Sequence, residues 1–526
     1  MKIQFLCFVF AVILLQGCEK PTSVSSNAGE DRYAEGYLPP NFTDSTRLTR
    51  IKAAIPVVDK IFLDHFNKDH FPGLAYGLVV DGRLVYSNAI GVSNVASNTA
   101  ANSKTGFRIA SMTKSFTAMA ILRLRDEGKL NLTDPASKYI SEVKNVKHLT
   151  KDSPAITIEN LLTMSAGFPE DNPWGDRQLA DTDDELLKFL QNGISFSNSP
   201  GLEYEYSNLG FGMLGRIITT VSGKPYQQYI SETIIKPLGM NDTRWEFTEV
   251  PKEQLALGYR WEDNGWKEEP ILHDGIFGAM GGLICSVEDF SKYIELHLSA
   301  WPPRNDDEST IIKRSSLREM HQLQKFGALV TDAKTVTGEP CPIVGGYGYG
   351  LGYRRNCNSI VSIRHGGGLP GYGSHWSFLP EFGIGIVSLS NLTYGGLSAP
   401  NARVIDTLIS LAKLSPRALP VSKILQQRQN DIVELITKWP EEKLNVLAEN
   451  FPLDHSLDSW KKSSSSILAE AGNIMTVGAV TPENQLRGSF TIQCEKKDIQ
   501  VFFTLTPEQV PLLQQLDLSI IDKEKP

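Results

Sequence analysis

The chain has 526 residues, 41% hydrophobic and 21% charged, the proportions of a globular protein too long for one ordinary domain. Its formal charge of −8 gives no basic footprint, which argues against a nucleic-acid partner. Neither His-Glu-x-x-His nor a Cys/His cluster with zinc-site spacing occurs, so no metal or other cofactor is expected.

At the N-terminus, Lys2 precedes an apolar run from Ile3 to Leu15 that only Gln4 interrupts, followed by Gln16-Gly17-Cys18. The run is too short to span a bilayer comfortably and has the shape of a signal peptide. A small residue before cysteine resembles the lipobox of bacterial lipoproteins. The expectation is a leader over residues 1–17, lipidation at Cys18 and a flexible tether over 18–48, with the protein anchored in a bacterial cell envelope on the periplasmic side of the outer membrane. Export implies an oxidising compartment. Cys341 and Cys357 bracket a Gly/Tyr-rich segment and are candidates to pair across a hairpin, although spacing leaves the connectivity open.

A first helix is predicted from about Ser45 to His65, then a β-hairpin of Gly73–Val80 and Arg83–Ser87 around the turn Asp81-Gly82. The next helix starts at Ser111 and ends near Gly128; from Phe116 to Leu124 only Thr117 and Arg123 are polar, the mark of a helix buried nearly all round. Asp134-Pro135 reads as the start of another helix, Ile156–Gly167 as a short one, and Thr182 with Glu185 as a capping box for a helix to Asn192. Helices follow over Gly210–Val221 and from Ser286 to about His297. Strands are expected in Gly345–Tyr353, Ser359–Arg364, Ser374–Leu379 and Gly383–Ser390, and a closing helix over Ala402–Leu414. The order is strands, many helices, strands, helix, an α+β layout. Beyond Pro416–Pro420, helices near 421–438, 441–451 and 459–471 precede strands 486–494 and 499–505. They suggest a separate small α+β domain over 421–526, whose layout resembles the nuclear-transport-factor-like kind.

Ser111 and Lys114 lie three apart, so on a helix they share a face, beside the unpaired N–H groups of the helix start. A serine with a lysine one turn away is a nucleophile–base arrangement. The pattern alone says little, because it recurs at Ser141/Lys144, Ser410/Lys413 and Ser459/Lys462. Two later segments single out Ser111. Tyr206-Ser207-Asn208 sits where a Pro-Gly turn meets a helix, and His365-Gly366-Gly367-Gly368 is a glycine-rich stretch that allows close approach of a substrate to the backbone. A second Tyr-Ser-Asn, at Tyr86–Asn88, falls on the hairpin.

In this order and spacing the motifs resemble the serine β-lactamase-related family, which includes class C β-lactamases, D-Ala-D-Ala carboxypeptidases, D-aminopeptidases and esterases. The resemblance spans residues 49–415 and includes Phe107–Thr117, Gly128–Pro135, Leu161–Gly167, Tyr204–Asn208, Gly281–Leu283 and His365–Gly373. It implies an α+β, β-lactamase/transpeptidase-like fold: an antiparallel sheet flanked by helices, with an inserted helical region. It implies Ser111 as nucleophile, Lys114 and Tyr206 sharing acid–base work, and Asn208 orienting the substrate. His365 takes the place of the lysine in the lactamases' Lys-Thr-Gly motif, and the backbone N–H groups of Ser111 and Gly368 form the oxyanion hole. A literal Lys104-Thr105-Gly106 precedes Ser111 and is discounted as a turn. Histidine at position 365 offers less charge to a carboxylate than lysine. The resemblance therefore favours cleavage of peptides, foremost D-amino-acid peptides of the cell wall, or esters. A class C-like β-lactamase and a non-hydrolytic penicillin- or peptidoglycan-binding protein are the alternatives. The partners implied are a small-molecule or peptide substrate and a membrane reached through Cys18.

Overall fold

The computed structural model describes residues 37–335 and 337–523; the leader, Cys18 and the tether as far as residue 36 lie outside them. The chain folds as two units, one of Pro39–Ala418 and one from Leu419 onward.

The first unit is built on a nine-stranded sheet. Its strands are β1 (Gly73–Val80), β2 (Arg83–Asn94), β3 (Thr99–Ala100), β4 (Lys325–Val330), β5 (Ile343–Tyr347), β6 (Gly352–Asn356), β7 (Val361–Leu369), β8 (Tyr372–Leu379) and β9 (Ile384–Ser390). They run in the order β3-β2-β1-β9-β8-β7-β6-β5-β4, every neighbouring pair antiparallel. The sheet is a middle layer, and β1 shows why. All eight of its residues are buried, and because successive side chains point to opposite faces, Ala75 and Val79 enter one apolar core while Leu74, Tyr76, Leu78 and Val80 enter another. The first core holds helix α1 (Lys114–Asp126), in which every residue from Lys114 to Leu122 is buried. The second holds helices α2 (Ile55–Lys68) and α3 (Ser398–Leu411). Leaving Phe116 without its ring would cost about 3–5 kcal/mol of stability, since it stacks on Tyr293 at 3.8 Å between centroids with no exposed surface.

Several elements differ from their sequence reading. The first helix is two, Arg47–Ala53 and Ile55–Lys68, broken at Ala54 where Pro56 cannot supply an N–H to the preceding turn. No α-helix follows Asp134. Pro135 is extended and bridges Thr157, and only 3₁₀ turns at Ala136–Lys138 and Ser141–Asn145 form. The predicted helix 156–167 shrinks to Ile158–Leu162, capped by Thr157 and Asn160. Cys341 and Cys357 are disulfide-bonded across the β5–β6 hairpin.

In the second unit the predicted helix 441–451 is a 3₁₀ turn, Glu441–Val446, and a short helix, Phe451–Asp454; between them Leu447 is extended and bridges Leu513. Helices Lys423–Lys438 and Leu457–Ala471 pack on an antiparallel sheet of Ile474–Val477, Arg487–Cys494, Asp498–Leu505 and Leu513–Ile521, with Thr481–Asn484 paired to the second of these. Along Asp498–Leu505 alternate residues are buried, the period of a sheet covered on one face.

Candidate active site

Ser111 is presented by a strained turn. A two-residue ladder of Phe107–Arg108 with Ile284–Cys285 brings the chain to Ile109, and the buried Arg108 guanidinium ties it to the carbonyls of Gly282 and Leu272. Ala110 then adopts φ +49°, a left-handed conformation costly for a residue with a Cβ. Residues Ala110–Thr113 form a 3₁₀ turn that runs into α1 at Lys114. In 3₁₀ geometry side chains at i and i+3 eclipse, and Lys114 Nζ lies 2.9 Å from Ser111 Oγ.

Strand β7 lies directly against this turn. Ser374 Oγ donates to the Ile109 carbonyl at 2.7 Å, and a Cβ on Gly367 would sit 2.3 Å from that same oxygen, so no other residue fits there without displacing the turn. Gly366, Gly367 and Gly368 all line the cleft beside Ser111, Tyr206 and His365, in a cavity of about 590 Å³. The sequence-predicted site residues that the structure describes thus come together; Cys18 lies outside the described residues.

Lys114 is fully buried and makes no ion pair among the described residues. Nζ donates to Asn208 Oδ1 at 2.7 Å and to the Met280 carbonyl at 3.0 Å. Burial pulls its pKa down to about 7, against the opposing charges of Asp176 and Asp171. As an ammonium, Nζ can donate to all three oxygens; as the neutral amine accessible near pH 7, it keeps two N–H donors for the two carbonyl oxygens and turns its lone pair to the Ser111 hydroxyl. Tyr206 hydrogen-bonds the Ser111 side chain and sits with its ring 4.9 Å from Lys114 Nζ. Burial raises its pKa well above the ordinary phenol value, so it stands as a neutral phenol.

Asn208 opens the helix Asn208–Ser222, capped by Ser207, whose Oγ accepts from Gly210 N. Asp171 stands at this helix N-terminus, accepting from the backbone N–H of Asn208 at 2.6 Å and of Leu209 at 2.9 Å. Asn208 Nδ2 donates to Asn172 Oδ1 at 3.2 Å, which leaves Oδ1 facing Lys114.

His365 departs from the role of a donor into the cleft. Its Nδ1–H donates to the Gly366 carbonyl at 2.5 Å, so Nε2 is the acceptor and takes the Tyr347 hydroxyl at 2.8 Å. Burial, with Lys114 nearby, pulls its pKa down to about 3, and the ring is neutral.

Sequence reasoning missed Asp171, Asp176, Met280 and Tyr347. Asp176 is buried on the cleft wall with Oδ1 unpartnered among the described residues, and burial pushes its pKa up to about 6. Single acidic residues in a loop and a backbone carbonyl carry no pattern; Tyr347 lay within the Gly/Tyr run, its one signal. The competing patterns do not form sites. Ser141/Lys144, Ser410/Lys413 and Ser459/Lys462 are exposed, and Tyr86 donates to Asp59. Thr105 of the literal Lys-Thr-Gly closes a turn on Asn102 N.

The family model described as "Beta-lactamase" matches residues 58–409. Protein flp of Staphylococcus aureus (strain N315) is 29% identical over 345 residues, covering 64% of this chain and 62% of that protein. Beta-lactamase-like protein 2 of Dictyostelium discoideum is 26% identical over 374 residues, covering 68% of this chain and 63% of that protein. The chain therefore spans less than two thirds of the length of these relatives. Among solved structures, the octameric penicillin-binding protein homologue from Pyrococcus abyssi superposes with a TM-score of 0.56 at 23% identity, covering 89% of this chain and 98% of that one. The penicillin-binding protein from Bacillus halodurans gives 0.52 at 22%, covering 68% and 99%. The antiparallel sheet with helices on both faces and a helical insertion is the fold these structures share. With a family match over most of its length and that fold, the chain belongs to the beta-lactamase family.

Proposed function

We propose that the protein is a serine hydrolase that works through an acyl-enzyme on Ser111 and cleaves amides or esters, D-amino-acid peptides of cell-wall type first among them. The observation that carries this reading is the Ser111 hydroxyl at 2.9 Å from a lysine whose pKa burial brings to about 7. Ser111 Oγ attacks the carbonyl carbon while its proton passes to Lys114 Nζ. The oxyanion is held by the N–H groups of Ser111 and Gly368. Tyr206 protonates the leaving amine or alkoxide and is reprotonated from Lys114. Water then attacks the ester, with the same groups acting in reverse, and Ser111 is restored. Asn208 holds Lys114 through Oδ1. His365, neutral and with both ring nitrogens engaged, supplies no cation for the carboxylate of a β-lactam, which supports peptides or esters over a dedicated lactamase. The protein acts at the cell envelope, tethered through lipid on Cys18.

The test incubates purified protein and Ser111→Ala with penicillin, a D-Ala-D-Ala peptide and an activated short-chain ester, with mass spectrometry for the acyl adduct and timed product release. The expected result is an adduct, and turnover of peptide or ester, in the parent protein only. An adduct retained by Ser111→Ala would overturn the nucleophile assignment. Fast turnover of penicillin would favour a lactamase, and a stable adduct with no turnover a binding protein.

A further inference from the structure

On the face of the sheet opposite Ser111, a cavity of about 330 Å³ lies among β6, β7, β8, helix α3 and the residues Lys334, Thr335, Thr337 and Cys341. Its wall carries two arginines that pair with no carboxylate among the described residues. Strand register pairs Arg354 with Ser362 and Gly352 with Arg364, which sets the two arginines diagonally on one face of adjacent strands. Arg354 has no hydrogen-bond or ion-pair partner among the described residues. Arg364 has one, Ser398 Oγ at 3.3 Å. Ser398 is the first residue of α3, whose N-terminus has neither a capping side chain nor an acidic residue in its first turn. Two guanidinium groups therefore meet the positive end of a helix in a part-buried space. Each arginine is pushed down from its ordinary pKa by burial, Arg364 to about 10 with Arg354 adding to the shift, yet both stay charged near neutral pH.

A fourth group points the same way. His375, 3% exposed, lines the cavity and accepts from Asn401 Nδ2 through Nδ1 at 2.9 Å, which leaves its proton on Nε2; that N–H is buried and unpartnered among the described residues. Further along α3, Asp406 also lines the cavity; its side chain has no hydrogen-bond or ion-pair partner among the described residues, and burial raises its pKa.

We propose that this cavity is a second ligand site, for a small zwitterion of the amino-acid or short-peptide class, its carboxylate bound by Arg354 and Arg364 and its ammonium by Asp406. The site is independent of the catalytic reading, although both arginines also border the cleft. Asp406, His375 and Ser398 line the rear cavity and not the cleft, so they separate the two locations.

The test is calorimetric titration of the full-length Ser111→Ala protein with D-alanine, D-Ala-D-Ala and acetate. Arg354→Met and Asp406→Asn are the informative variants, because neither side chain has a partner among the described residues whose loss would disturb folding. The expected result is saturable binding of a zwitterion, weakened at least tenfold by Arg354→Met for all probes. Asp406→Asn should weaken D-alanine and D-Ala-D-Ala tenfold and leave acetate unchanged. No saturable binding of either zwitterion would overturn the proposal. So would binding that Asp406→Asn leaves intact, since that ligand would be sitting in the cleft.

Discussion

Lys114 is buried, and Arg354 and Arg364 on the opposite side of the sheet are partly buried, all three without an ion pair among the described residues, yet their surroundings differ in kind. Lys114 is ringed by neutral oxygens, those of Ser111, Asn208 and Met280, with the carboxylates of Asp171 and Asp176 acting only across space. An ammonium in that setting meets the cost of burial by releasing its proton, and release is what a base at neutral pH requires. Arg354 and Arg364, only partly withdrawn from water, cannot answer their burial that way, because a guanidinium does not deprotonate near neutrality. Their charge persists. Burial alone therefore does not mark a catalytic cation; what marks it is burial of a group whose pKa can cross the working pH.

The sharpest way to break this contrast is to exchange the two kinds of cation. Lys114→Met removes the proposed base, and acylation by a D-Ala-D-Ala peptide or ester should fall by about 10²–10⁴-fold. Lys114→Arg keeps the charge but not the capacity to deprotonate, and it should be no faster than Lys114→Met in rapid-quench measurement of adduct formation. Recovery of the parent rate in the arginine variant would mean that position 114 supplies charge rather than a proton acceptor.

The pH profile of the parent gives the next largest effect. The active species carries neutral Lys114, whose pKa lies at about 7. Below that value kcat/KM should decline about tenfold per pH unit, and above it the rate should level off. A rate that stayed flat from pH 8 to pH 5 would exclude Lys114 as the base.

On the arginine side the expected change is one of stability. Removing a charge that repels its neighbour and has no partner relieves a cost of the ligand-free fold, so Arg354→Met should gain about 0.5–2 kcal/mol in urea unfolding followed by tryptophan fluorescence. A loss of stability would show that the guanidinium has a favourable native environment.

How much of this could be read in the sequence follows from what each feature is made of. Ser111, Lys114, Tyr206 and His365 fall in short linear motifs, and the β1–β2 hairpin announces itself through Asp81-Gly82 between apolar strands. The 3₁₀ geometry at Ser111 was hidden, because Ser-x-x-Lys before an apolar run reads equally as a regular helix; the left-handed Ala110 that sets the turn carries no residue signal. Asp134-Pro135 had the composition of a helix start, but pairing of Pro135 with Thr157 held it extended. Local preference lost to a tertiary contact. The surroundings of Lys114 come from segments far apart in the chain, Asp171, Asn208 and Met280. The rear cavity depends on the register of β6 against β7, a property of pairing that no single segment contains.

The smallest predicted effect concerns the carboxylates that face Lys114 across space. Asp176 raises the Lys114 pKa by its charge, and it is itself partly ionised near neutrality, its own pKa being about 6. Asp176→Asn removes that charge and keeps the shape, so the Lys114 pKa should fall and the acid limb of kcat/KM should move to lower pH. The sign is fixed by the physics: losing a nearby anion destabilises the ammonium and favours the neutral amine. Asp171→Asn is not an equivalent experiment, because Asp171 also accepts the N–H groups of Asn208 and Leu209, and its replacement disturbs the helix start that aims Asn208 at the lysine. The two variants should therefore separate in kind. Asp176→Asn should shift the limb with little change in the plateau, whereas Asp171→Asn should lower the plateau as well. A limb that moved to higher pH in Asp176→Asn would show that the group titrating in the profile is not Lys114.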